Sequence, residues 1–184
     1  QVAPDAEIKL SGQLGTVEMV SAVRGLTPPA DGTGEQIVRA YLRQNKAVYG
    51  LTDSEIGGLR YIGESNSGGS GLRMVRVEQT VNGYPVFQSE TRFILSPEGR
   101  VVRSLGLLAP NASVNAAPIR SLIDAPTALQ RAMASVGVNM DSARLHTSTT
   151  KAASGKITVS ADDPQIKDGV ESKLVYFPAA PGVL

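Results

Sequence analysis

The hydrophobic positions of the chain follow two different periods that alternate along its length. From Glu35, the run EQIVRAYLRQNKAVYG sets Ile37, Tyr41 and Val48 beside Val38, Leu42 and Tyr49, the three-to-four spacing of one helical face. Thr33 and Gln36 have the form of a capping box ahead of it, and Gly50 sits where a left-handed C-terminal cap belongs. The pattern predicts a helix with one buried face. The glycine- and serine-rich stretch ESNSGGSG, residues 64–71, then reads as a mobile loop. Beyond it the period drops to two over LRMVRVEQTV, YPVFQSETRFIL and RVVRSLGLL, which predicts three strands. Asn82-Gly83 suits a two-residue type I′ turn between the first two, and Ser96-Pro97-Glu98-Gly99 suits a type I turn before the third.

The same plan then recurs. Asp124 and Pro126 supply a cap and an early proline for the helix ALQRAMASV, whose stripe is Ala128, Leu129, Ala132, Met133 and Val136, and Gly137 closes it. Strand candidates follow at ARLHTST, KITVS and SKLVYFP. A helix followed by an antiparallel meander, twice over, predicts an α+β fold of two helix-on-antiparallel-sheet units in tandem. The first spans residues 1–110 with an N-terminal arm, and the second spans 111–184 with an extended C-terminal tail.

The hairpin VEQTVNGYPVF, residues 77–87, carries a conflict. Continuous pairing through Asn82-Gly83 puts Val75, Val77 and Val81 on one face with Tyr84 and Val86, and leaves Phe87, Phe93 and Leu95 on the other. Either a bulge resets the register between Phe87 and Phe93, or the second face is covered by the N-terminal arm or a partner. Pro85 cannot donate a ladder hydrogen bond, which points its strand to an edge or a bulge.

Composition narrows the function classes. The 184 residues are 41% hydrophobic and 19% charged, which suits an ordinary globular protein. Lysine and arginine number 18 against 17 acidic residues, without blocks of like charge, so neither nucleic acid nor an anionic membrane is an expected partner. Apolar runs such as LGLLAP fall far short of the roughly 20 residues of a membrane span. No charged and apolar leader opens the chain, so Gln1 reads as the start of a mature or trimmed protein. Zero cysteine excludes disulfides and thiolate metal sites.

Catalytic motifs are missing from the sequence. A zinc hydrolase of the HExxH kind needs two imidazoles one helical turn apart, and the chain has only His146, within the alternating strand RLHTST. No nucleophile elbow accompanies it. Asp162, Asp163 and Asp168 do not match a calcium loop, and Gly68, Gly69 and Gly71 do not join a strand to a helix as a phosphate cradle does. Glu78 and Glu90 read as exposed strand carboxylates, and Asn111-Ala112-Ser113 fits a glycosylation acceptor. The chain is therefore expected to be no enzyme and to hold no cofactor.

The runs IVRAYLRQNKAVYGLTDSEIGGLRYIGE and LRMVRVEQTVNGYPVFQSETRFILSPEGRVVRSLG resemble the fungalysin/thermolysin propeptide motif of secreted zinc metalloproteases. Gln79, Gly83, Tyr84, Pro85, Val86 and Phe87, with Asn82 at the turn and Glu98-Gly99 further on, occupy that motif's positions. The helix IDAPTALQRAMASVG and the strand KLVYFP are similar to a second pro-region module of the PepSY type. The resemblance implies two cystatin-like units and an exported, bacterial pro-region acting as intramolecular chaperone and inhibitor. Its implied partner is the cognate metalloprotease catalytic domain, which would carry the zinc. Inhibition in that family is by occlusion of the active-site cleft. The corresponding candidates here are in the tail YFPAAPGVL: Tyr176, Phe177, Pro178, Pro181 and Leu184. A free-standing extracellular or periplasmic peptide-binding or protease-inhibitory module is the alternative.

Overall fold

The structure, a computed structural model, describes residues 3–12, 14–116, 123–147, 156–162, 166 and 168–179. It is α+β, and the chain divides into two compact units, Gln1–Ala117 together with Tyr176–Leu184, and Pro118–Val175. The segment beginning at Tyr176 thus groups with the first unit, whereas the sequence reading attaches it to the second.

In the first unit, β1 (Glu7–Leu10) and β2 (Val17–Ser21) precede three helical segments, α1 (Gly34–Gln44), α2 (Lys46–Tyr49) and α3 (Asp53–Gly57). Strands β3 (Arg60–Asn66), β4 (Arg73–Glu78), β5 (Thr80–Val81), β6 (Tyr84–Pro85), β7 (Thr91–Leu95) and β8 (Val101–Leu105) follow, then a single turn, α4 (Ala112–Asn115). Six of the strands form one antiparallel sheet in the order β1-β2-β8-β7-β4-β3, and β5 pairs with β6 alone.

The capping box forms as expected: the Thr33 hydroxyl accepts from the Gln36 amide at 3.3 Å while Gln36 Oε1 accepts from the Thr33 amide at 2.9 Å. Helix α1 buries Ile37, Val38, Tyr41 and Leu42 against Val75, Phe93, Leu95 and Val101 of the sheet. Fully burying side chains of this size contributes about 1.5–3 kcal/mol each, so this layer is the main source of the unit's stability. The helix is interrupted at Asn45, whose amide nitrogen donates to the Tyr41 carbonyl at 2.9 Å and so competes with the helical ladder. Gly50 then closes α2 in the left-handed region, with φ of 66°. Helix α3 starts on a second capping box, Thr52 with Glu55, and Arg39 closes its far end by donating to the carbonyls of Ile56, Gly57 and Leu59. The same arginine is paired with Glu35 at 2.8 Å, so α1 and α3 are clipped together.

One expectation for this unit needs correction, and one open alternative is decided. Glu64, Ser65 and Asn66 belong to strand β3 and pair with Val75, Met74 and Arg73, so the loop between β3 and β4 is shorter than the glycine and serine content suggests. The irregularity between Tyr61 and Gly63 breaks the alternation that would have announced the strand. The register conflict resolves as a reset. An uninterrupted hairpin would set Val77 opposite Gln88, yet Val77 pairs with Thr91 and Val75 with Phe93. That odd slip turns Phe93 and Leu95 to the buried face with Val75 and Val77, and all four are fully buried.

In the second unit, α5 (Ala125–Ser135) lies against a three-stranded sheet ordered β11-β10-β9, with β9 at Leu145–Thr147, β10 at Ile157–Ala161 and β11 at Val170–Ser172. Asp124 caps the helix, accepting from the Thr127 amide at 2.9 Å, and hydrogen bonding by the Thr127 side chain, then by this amide, holds its carboxyl below the ordinary range. The buried stripe is rotated from the expected one. Leu129, with Ala125 and Met133, meets Leu145 and Val159, while Ala132 and Val136 are exposed. The third strand overlaps the predicted SKLVYFP only at Ser172 and begins two residues earlier, because Val170 and Ser172 pair with Val159 and Ile157. Tyr176 is engaged elsewhere, in the first unit.

Candidate functional site

The hairpin β5–β6 is built from its turn outward. Asn82 and Gly83 have φ of 50° and 79°, the pair of positive angles a type I′ turn requires, and Val81 pairs with Tyr84 and Thr80 with Pro85. Below the pairs, the Val86 amide donates to the Gln79 carbonyl at 2.9 Å. Ser89 then closes the base: its Oγ accepts from the Gln79 amide at 3.0 Å and donates to the Val86 carbonyl at 2.8 Å. Gln88 takes a φ of 55°, an uncommon angle for a residue with a side chain, and the chain turns there into β7.

Gln79 is 1% exposed, and its side-chain amide pairs with both backbone groups of one residue. Gln79 Nε2 donates to the Ala109 carbonyl at 2.9 Å, and Oε1 accepts from the Ala109 amide at 2.8 Å. This motif residue therefore ties the hairpin to the segment after β8 and has no surface to offer a partner.

The tail adds a third strand to the hairpin. Tyr176 forms a parallel bridge with Val86: its amide donates to the Pro85 carbonyl at 2.9 Å, and its carbonyl accepts from the Phe87 amide at 2.7 Å. Pro85 limits the ladder to that bridge, since the next parallel bond would need the N–H that proline lacks. The Tyr176 ring is buried, and its hydroxyl accepts from Asn82 Nδ2 at 3.2 Å. The next residue faces outward. Phe177 stacks on Phe87 with ring centroids 5.4 Å apart and planes inclined at 31°, and the two are 54% and 42% exposed. Beside them lies a shallow recess between Leu14, Leu107, Ala109 and Pro178.

The two sets of residues nominated from the sequence are thus brought together. Asn82, Gly83, Tyr84, Pro85, Val86 and Phe87 meet Tyr176, Phe177 and Pro178 in one three-stranded patch, whereas Pro181 and Leu184 lie outside the described residues. Leu14, Leu107 and Ala109 were not nominated. They reach the patch through pairing of β2 with β8, which has no local signature in the sequence. Exposed aromatic rings beside a recess of mixed lining, to which Gln88 and Ser89 also contribute, on a scaffold whose backbone is fixed by turn and bridge, can bind another protein's side chains.

The remaining polar groups do not assemble a reaction centre among the described residues. His146 is exposed on β9 and pairs with Asp162 at 3.0 Å; the Ser160 hydroxyl opposite donates to the His146 carbonyl instead of its ring. Glu78 is paired with Arg60, and Glu90 with Arg92 at 3.2 Å. Asp163 lies outside the described residues, and no group of three metal-ligating side chains occurs among those described. No helix among them is long and apolar enough to cross a membrane. The chain matches no known family model, and no curated protein sequence matches it.

Proposed function

We propose that the chain is the pro-region of a secreted, thermolysin-like zinc metalloprotease, which assists folding of the catalytic domain and blocks its cleft until removed. The zinc belongs to that catalytic domain, and this chain acts by binding alone. On this reading the two helix-on-sheet units are cystatin-like modules in tandem, the first of the fungalysin/thermolysin propeptide type and the second of the PepSY type. One observation carries the proposal. The residues that resemble the propeptide motif and the tail expected to lead toward the protease form a single surface, crowned by the exposed rings of Phe87 and Phe177.

The test is inhibition in trans by the isolated chain of the protease domain encoded in the same precursor. A tether supplies an effective concentration on the order of millimolar, so modest affinity suffices in the precursor. Dose-dependent inhibition is expected, reduced on the order of tenfold by Phe87→Ala with Phe177→Ala at unchanged thermal midpoint. A precursor that encodes no such domain, or a protease domain that neither refolds better nor works more slowly with the chain present, overturns the reading.

A further inference from the structure

The sheet of the first unit has two faces of different character. Helix α1 covers the inner one, where Val75, Val77, Phe93 and Leu95 are fully buried. Their neighbours in sequence point the other way. Across the outer face, register sets Arg76 opposite Arg92, Arg92 opposite Leu105, and Leu105 opposite Met19. The adjoining row sets Met74 opposite Ile94 and Ile94 opposite Arg103. Three central strands therefore present three arginines interleaved with apolar side chains; Arg92, Arg103 and Leu105 are exposed, and Arg76, Met74 and Ile94 are partly so.

Placing like charges directly opposite each other across a ladder is unfavourable, and opposite charges are the usual choice there. Local acids answer only part of this cluster. Glu90 pairs with Arg92, and Glu78 is taken by Arg60. Arg76 and Arg103 make no ion pair or hydrogen bond among the described residues, and the acid in the Arg103 row, Glu7, stands two strands away beyond Ser21. A guanidinium fork binds a carboxylate in bidentate fashion, and methionine, isoleucine and leucine between the forks supply apolar contact.

We propose that this outer face, centred on Arg76, Arg92 and Arg103, is a docking surface for an acidic patch on a partner protein, which on the pro-region reading is the protease domain itself. The face is separate from the aromatic hairpin and tail patch, and its attraction is electrostatic. It speeds encounter and fixes orientation.

The test measures binding of the chain to that protease domain by surface plasmon resonance. Arg76→Glu with Arg103→Glu should weaken association on the order of tenfold or more, chiefly through a slower on-rate. Raising ionic strength from about 0.1 M to about 1 M should weaken the wild type by a similar factor and the double variant much less. The control is Arg76→Gln with Arg103→Gln, which removes like-charge repulsion and should leave the thermal midpoint unchanged or raised. A lower midpoint would mark the arginines as structural and overturn the inference. Binding by the wild type that neither charge reversal nor salt alters also overturns it and leaves the pro-region reading intact. A wild type that fails to bind at low salt overturns the pro-region reading. Arginine-dependent capture of duplex DNA or phosphatidylserine vesicles, with protease binding insensitive to the substitutions, overturns the assignment to a protein partner.

Discussion

The amide of Phe87 donates to the carbonyl of Tyr176 at 2.7 Å, so the tail and the hairpin hold one another by backbone as well as by rings. Tyr176 is a core residue of the patch and Phe177 is a surface residue. Tyr176→Ala is expected to destabilise the first unit by about 3–4 kcal/mol through loss of a buried ring, while Phe177→Ala should stay within about 0.5 kcal/mol of wild type. Urea denaturation followed by circular dichroism distinguishes the two. Equal effects would mean that the tail is not anchored at Tyr176.

Gly83 and Gly99 both have positive φ, at 79° and 76°, but they differ in surroundings. A Cβ on Gly83 meets nothing within 4 Å, whereas one on Gly99 would collide with the Ala30 carbonyl oxygen. Gly83→Ala should therefore cost about 1 kcal/mol of conformational strain alone. Gly99→Ala adds a collision with backbone and should cost at least about 2 kcal/mol more. Comparable denaturation midpoints for the two variants would contradict the close approach of residue 99 to residue 30.

Stability should fall in alkali, and the sign follows from two tyrosines. Burial holds the hydroxyl of Tyr41 above its ordinary value of 10.0, assisted by the neighbouring Tyr49, and burial raises Tyr49 as well. They form a chain, Tyr41 to Tyr49 at 2.9 Å and Tyr49 to the Ser104 hydroxyl at 2.6 Å. Because the folded values are raised, the unfolded chain loses these protons first. The stabilisation is complete below pH 10 and declines above it, by up to about 1.4 kcal/mol per pH unit for each tyrosine. Tyr49→Phe should halve that slope in urea titrations between about pH 10 and pH 12, with a lower starting stability because Tyr41 and Ser104 lose a partner.

Gln79→Ala leaves both polar groups of Ala109 buried without their partner. The expected cost is about 2–4 kcal/mol, larger than for an exposed glutamine, with amide hydrogen exchange at Ala109 accelerated to match. Retention of slow exchange at Ala109 would show that water or another group replaces the side chain.

What the sequence disclosed is what neighbouring residues decide among themselves. The Thr33 and Gln36 box, the Asn82-Gly83 turn and the Asp124 cap each rest on groups within a few positions, and each formed. Thr52 and Glu55 carry the same signal for α3, with the spacing of a capping box. Long-range pairing was out of reach. Nothing near Val17 announces β8 as its neighbour, Gly63 hides β3 by breaking alternation, and the apolar run at Tyr176 fits a second-unit strand as well as a bridge to Val86. The register reset after Phe87 was visible as a contradiction between faces, and only the Val77 to Thr91 pairing settles it.

The pairing of Gln79 with Ala109 also sets a rule of inheritance. A glutamate there could only accept, an asparagine would fall a methylene short, and a leucine would strand both backbone groups of Ala109. Phe87, half in solvent, carries no such restriction from the fold. Among descendants of this sequence the buried amide should therefore stand still while the exposed ring drifts, and where Phe87 also stands still, selection by a binding partner is the remaining cause.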